Sequence, residues 1–220
     1  MRILCVADQV DPLIYSPGIK QRFSDVGLVI GCGDLRLSYY DYIISNLNRP
    51  FFFVFGNHDL NRLREFRRGN GDLRAPSYPA PTMSACYING RVRQEKGLLI
   101  AGLGGSRWYN GGPNQFTEIQ MFFRALGLLP ALLVNRLRRG RFLDLLITHA
   151  PPYGIGDRSD PCHRGFKTFL WFMKLFRPVC LVHGHIHLDT AETSRRRYGN
   201  TLVVNAFKHT VLELEPAGRT

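Results

Sequence analysis

Seven short apolar runs constrain the fold of this chain more than any other feature. They fall at residues 2 to 7, 27 to 31, 51 to 55, 98 to 103, 142 to 147, 179 to 183 and 201 to 204, and they are rich in Val, Ile, Leu and Phe. Runs of four to six residues are too short for helices, and their unbroken apolar character fits strands buried on both faces. Between them the pattern predicts helices over residues 16 to 25, 38 to 48, 114 to 139 and 163 to 176. Ser38 and Asp41 stand in capping-box spacing for the second of these, and Pro130 should kink the third or end its first half. Strands alternating with helices argue for a layered α/β fold. Asn89-Gly90, between strand-like stretches at 83 to 88 and 91 to 95, predicts a two-residue hairpin. Tyr198-Gly199-Asn200 joins 188 to 193 to 201 to 204, so antiparallel strands should extend the sheet edge. With 220 residues, 45% of them hydrophobic, and no linker or repeat, a single domain over 1 to 220 is expected.

Composition bounds the function. Asp8 arrives too early for a signal-peptide apolar region, and no window offers the ~18 uninterrupted apolar residues of a membrane span, so the expected location is cytoplasmic. Cys5, Cys32, Cys86, Cys162 and Cys180 are odd in number and scattered, without a C-x-x-C pair. That pattern suggests neither a disulfide framework nor a thiolate zinc site. Cys32 is the one close to a polar cluster, with packing its plainer role. The net charge of +12 favours polyanions, whether nucleic acid, a phosphorylated substrate or anionic lipid. It gathers into arginine runs at 62 to 68, 136 to 141 and 195 to 197. Solvated helix or hairpin faces explain these more simply than specific nucleic-acid binding, because no aromatic stacking pattern accompanies them. Residues 121 to 134 are strongly apolar and are followed by Arg136, Arg138, Arg139 and Arg141, the outline of an amphipathic helix on an anionic membrane. Packing against the sheet accounts for the same pattern and is the preferred reading.

Five of the apolar runs end in polar clusters. Asp8 follows the first, Gly31-Cys32-Gly33-Asp34 the second, Gly56-Asn57-His58-Asp59 the third, His149 the fifth, and His183-Gly184-His185-Ile186-His187 the sixth. Carboxylates, an amide and imidazoles without thiolate make a ligand set suited to Mn, Fe or Zn in hydrolytic work. A single aspartate after a strand is more often a turn or cap residue, and a single histidine is more often structural. Three histidines at strand ends beside Asn57 and two aspartates are harder to explain as packing. Pro151 and Pro152 keep the chain out of helix just after His149.

Gly31-x-Gly33-Asp34, Gly56-Asn57-His58-Asp59, Thr148-His149-Ala150-Pro151-Pro152 and Gly184-His185-x-His187 resemble the motifs of the calcineurin-like metallophosphoesterase family. The resemblance spans residues 8 to 187. It implies a four-layer αββα sandwich of two mixed sheets flanked by helices, with a dinuclear metal centre at one sheet edge. By motif, Asp34 bridges two metals, Asn57, His149 and His185 complete one site, and Asp8 with His187 serves the other. His58 and Asp59 take catalytic roles: the imidazole faces the substrate and the carboxylate orients it. A metal-bound hydroxide attacks phosphorus in line. One or two divalent ions are implied, Mn first, with Fe, Zn or Ni as alternatives.

There is one departure. The family's first motif is Asp-x-His, and here Asp8-Gln9-Val10 places an apolar side chain where an imidazole is expected. That half of the centre retains only Asp8, Asp34 and His187. Gln9 sits on the wrong face of an alternating strand, and Asp11 needs a sharp turn to compensate. Substrate contact is assigned to Asn57, His58 and, from a glycine-rich turn, Arg107, although a surface arginine is the commoner explanation for the last. His183 is expected to be structural and His163 to open a helix. The sequence therefore predicts a metal-dependent hydrolase of phosphodiesters, or secondarily of monoesters. A nuclease is the alternative activity, and a non-enzymatic scaffold is the alternative from another class.

Overall fold

The computed structural model describes residues 1–58, 85–189 and 193–216. Each apolar run holds a strand. In one sheet β1 (Arg2–Ala7), β2 (Leu28–Gly31), β3 (Phe51–Phe53) and β4 (Ala85–Tyr87) are parallel neighbours, and β13 (Lys208–Glu213) lies antiparallel beside β1, giving the order β13-β1-β2-β3-β4. The second sheet has four parallel central strands, β12 (Thr201–Asn205), β10 (Cys180–His183), β9 (Leu145–Thr148) and β6 (Leu98–Leu103). Antiparallel edges β11 (Arg195–Tyr198) and β5 (Val92–Glu95) close it, giving the order β11-β12-β10-β9-β6-β5. The 195 to 197 arginine run occupies the exposed edge strand β11, where charge discourages pairing with another chain.

Alternation along the strands sorts the core into three layers. Ile3, Cys5 and Ala7 of β1 meet Ile147 and Val182 between the sheets, while Leu4 and Val6 turn outward onto the first pair of helices. Leu146 and Leu181 likewise face the remaining helices. A buried aliphatic side chain contributes roughly 1.5–3 kcal/mol, so runs apolar on both faces are stable only when both faces are covered. The result is two mixed sheets between helical layers, as the motif resemblance implies. Helices α1 (Ile19–Arg22) and α2 (Leu37–Leu47) cover the first sheet, and α3 (Glu118–Leu126), α4 (Leu129–Arg139) and α5 (Lys167–Phe176) the second.

Local details differ from expectation. α2 starts after an extended Arg36, so Ser38 lies inside the helix and makes no cap; the capping box is instead at Thr117 and Gln120, opening α3. Pro130 sits in the first turn of α4, where its missing N–H has no helical partner to lose, and the boundary falls at 127 to 128. Asn89-Gly90 is not a hairpin turn. It carries the chain from β4 in one sheet to β5 in the other, and Asn89 Oδ1 accepts from Gly104 N and Arg124 instead of closing a local turn. The two-residue turn is Lys96-Gly97, with φ of 46° and 87°, joining β5 to β6.

Candidate metal centre

The carboxyl ends of β1, β2 and β3 meet those of β9 and β10, and side chains there stitch the two sheets together. The Asp8 carboxylate accepts the His185 N–H at 2.9 and 3.0 Å. From the second sheet, the His149 ring reaches Asp34 and the Cys32 carbonyl of the first. Asp8, Asp34 and His185 have φ of 64°, 57° and 69°, a left-handed conformation that L residues adopt rarely and that concentrates at functional sites. Close approach is bought with glycine: a Cβ at Gly56 would lie 2.1 Å from Asp34 Oδ1 and 2.5 Å from His149 Cε1. A Cβ at Gly184 would lie 2.7 Å from Asp8 Oδ2.

Three electron-rich atoms converge. His149 Nε2 is 3.2 Å from Asp34 Oδ2 and 3.1 Å from Asn57 Oδ1. Asp34, His149 and His185 each offer a ligand atom, all within 4.8 Å of one another. Backbone carbonyls fix both rings, since His149 Nδ1 meets Cys32 O at 2.7 Å and His185 Nε2 meets Cys162 O at 2.8 Å. Each imidazole then has its other nitrogen left to face a cation, the arrangement that orients metal-ligating histidines. This donor set, one carboxylate, one amide oxygen and two imidazoles, fits a divalent transition ion.

The electrostatics record the crowding of acceptors. Burial alone pulls the His149 pKa down, but Asp34, by charge and hydrogen bond, with help from Asp8 and the Cys32 carbonyl, raises it from 6.5 to about 9. Burial alone raises Asp34, and His149 together with the His58 amide brings it from 3.8 down to about 2. Burial, reinforced by the neighbouring His149, lowers His185 to about 3. The raised His149 pKa and the lowered Asp34 pKa record one mutual attraction between the two groups.

The His58 side chain is exposed, while its N–H holds Asp34 Oδ1 at 2.9 Å. Asp59 lies outside the described residues. Asp8 and His187 are not part of the three-residue ligand group; His187 stacks on Phe207 at 4.8 Å, and burial lowers its pKa. Val10 is 38% exposed. Asp11 turns away from compensating for it: its carboxylate accepts Leu13 N–H at 2.8 Å and meets His209 Nδ1 at 2.6 Å. Arg107 pairs with Glu118 at 3.3 Å and donates to Gly165 O. His183 is buried, with its pKa lowered to about 4 by that burial. His163 precedes α5 rather than opening it; it pairs with Asp160 at 2.9 Å, and its ring lies 5.3 Å from that of His185.

Two contributors carry no sequence signal. The Tyr109 hydroxyl accepts from Asn57 Nδ2 at 3.3 Å, turning Asn57 Oδ1 toward His149. Buried Asn114 donates to the carbonyls of Phe55 and Gly56 at 3.1 and 2.6 Å, fixing the strand end that delivers Asn57. Both come from the turn flanked by β7 (Ser106–Arg107) and β8 (Gln115–Phe116).

Residues 17–189 match the sequence profile described as calcineurin-like phosphoesterase. No curated protein matches the chain. One solved crystal structure shares 18% identity, covering 96% of this chain and 94% of its own, with a TM-score of 0.67. The TT1561 protein of Thermus thermophilus shares 16% identity, covering 94% of this chain and 88% of its own, with a TM-score of 0.60. At such identities the likeness is one of fold.

Proposed function

This chain belongs to the calcineurin-like phosphoesterase family, and from that premise we propose that it hydrolyses a phosphate ester, phosphodiesters ahead of monoesters, at a divalent-cation centre with unequal halves. The observation that carries this reading is the convergence of Asp34 Oδ2, Asn57 Oδ1 and His149 Nε2, with His185 beside them and a backbone carbonyl holding each ring. Asp34, Asn57, His149 and His185 hold the first cation. Asp8, His187 and Asp34 offer the second a poorer set, because Val10 supplies no donor. When bound, the ion lowers the pKa of water toward neutrality and offsets phosphate charge.

The protein's own groups do the rest. The exposed His58 imidazole donates a proton to the leaving oxygen, oriented by Asp59, while its amide fixes Asp34. Asn57 contacts the phosphate edge and is aimed by Tyr109. Arg107 would need to trade its Glu118 contact for substrate, which makes it the weakest member of the substrate set. Manganese is the first choice of metal, with Fe, Zn or Ni as alternatives. Five free thiols support a reducing, cytoplasmic setting.

Hydrolysis of a nitrophenyl phosphodiester with added Mn²⁺ tests the reading. Asn57→Ala and His58→Ala should each lower kcat/KM by about 10² or more. Wild-type turnover no greater than that of these variants leaves a scaffold that kept the fold. The net charge of +12 keeps a nuclease as the second reading, and it is preferred if single-stranded DNA is cleaved faster than the small diester.

A further inference from the structure

Helices α3 and α4 bury one side, and among the described residues nothing covers the apolar side opposite. Gly127 and Leu128 between them keep right-handed helical angles, φ −59° and ψ −21°, φ −78° and ψ −18°, so the side-chain phase carries through the junction. Met121, Ala125, Leu128 and Leu132, spaced by four and three, pack onto the second sheet. At about 100° per residue, Ile119, Phe123, Leu133, Val134 and Leu137 fall within an arc of about 120° on the opposite side. Ile119 is 69% exposed, Phe123 64% and Leu137 85%. Over Glu118–Arg139 only 22% of the most apolar window is buried, although its composition would suit a membrane. Packing against the sheet therefore explains one stripe and leaves the other unexplained.

Charge says what covers it. Between Thr117 and Phe142 there are five arginines and a single carboxylate, Glu118, which is engaged by Arg107 and by the first amides of α5. Arg141 pairs with Asp144, Arg124 donates to Asn89 and Arg139 to Gln94, so Arg136 and Arg138 carry the charge beside the stripe. On the helical projection Arg136 and Arg138 border the exposed stripe, one on each side, at its carboxyl-terminal end. The stripe continues over Phe122, whose ring meets Trp171 of α5 at 4.9 Å, with Lys167 lining the same depression. An apolar strip about 27 Å long from Ile119 to Leu137, flanked by guanidinium groups at its carboxyl-terminal end and with a tryptophan beside it, matches a helix lying flat at an anionic lipid surface. It spans nothing, because its other face belongs to the protein core.

We infer that the α3–α4 face docks this protein peripherally on anionic membranes, inserting Ile119, Phe123, Leu133, Val134 and Leu137 to headgroup depth with Arg136 and Arg138 on lipid phosphates. The full chain is tested by co-sedimentation with phosphatidylcholine vesicles, with and without about one third phosphatidylglycerol. Binding to the anionic vesicles should exceed binding to neutral ones by at least about tenfold and weaken with salt. Phe123→Ser with Leu137→Ser, both exposed and so tolerated by the fold, should lose most of it. Arg136→Gln with Arg138→Gln should reduce anionic binding by roughly tenfold or more and leave the weak neutral binding unchanged. Equal binding to both vesicle types, unaltered binding by either double variant, or a wild-type dimer that ignores vesicles and is split by the serine pair would overturn the inference.

Discussion

Gly56→Ala is the sharpest probe of how the sheets and the site are joined. The added methyl would stand 2.1 Å from Asp34 Oδ1 and 2.5 Å from His149 Cε1, where ordinary contact needs about 3.4 Å or more. Neither neighbour can simply step aside. Asp34 Oδ1 is held by His58 N–H at 2.9 Å and Oδ2 faces His149 at 3.2 Å, while His149 Nδ1 is anchored on Cys32 O at 2.7 Å. Relief requires a shift of about 1 Å, costing about 1–3 kcal/mol in overpacking and about 1.5–3 kcal/mol for the charged hydrogen bond it breaks. A total of about 2.5–6 kcal/mol lowers Tm by about 5–20 °C in a domain of this size. A misplacement of that order at the reacting centre costs about 10²-fold in rate. Calorimetry of the protein with and without Mn²⁺, together with Mn²⁺ titration, reads both effects. If the alanine variant melts within a degree or two of wild type and binds Mn²⁺ equally well, the close approach of Gly56 is not what shapes the site.

Two further outcomes follow from the same atoms. His149 has its pKa raised from 6.5 to about 9, so the pair's stabilisation is complete below 6.5 and lost as pH rises through about 9; Asp34, lowered from 3.8 to about 2, contributes above 3.8 and loses its contribution as pH falls through about 2. A cation must displace the His149 proton, so Mn²⁺ affinity should rise about tenfold per pH unit up to about pH 9, and titration in buffers of different ionisation enthalpy should detect about one proton released at neutral pH; a pH-independent affinity contradicts this protonation state. Tyr109→Phe removes the acceptor that aims Asn57, and its net cost of about 0.5–1.5 kcal/mol should weaken Mn²⁺ binding by up to about tenfold with little change in Tm; unchanged affinity would show that Asn57 is positioned without it.

Strands were legible because each of these short runs is apolar on both faces, and only a covered sheet tolerates that. The motif residues were legible because parallel strands deliver their carboxyl ends to one place, which is where Asp34, Asn57, His149 and His185 now meet. What the sequence obscured depended on distant partners. Asn89-Gly90 has hairpin chemistry but is used to cross between sheets, because Asn89 is claimed by Gly104 and Arg124. Tyr109 and Asn114 reach the site from a turn more than 50 residues beyond Asn57, at positions no local pattern marks. The 121 to 134 segment read as a helix packed on the sheet. That is true of one stripe, and periodicity alone could not reveal that its opposite stripe would find no cover among the described residues. Asp11, weighed as a substitute donor, is held by His209 of β13, a contact across 198 residues.

An anomalous difference map from Mn²⁺-loaded crystals, read together with metal content per chain, decides whether the centre binds a cation and whether its halves are unequal. A strong peak is expected within coordinating distance of Asp34, Asn57, His149 and His185, and a weaker one, or none, beside Asp8 and His187. No peak at the first position in metal-replete protein would contradict the proposed centre, and two equally occupied positions would contradict the inequality assigned to Val10.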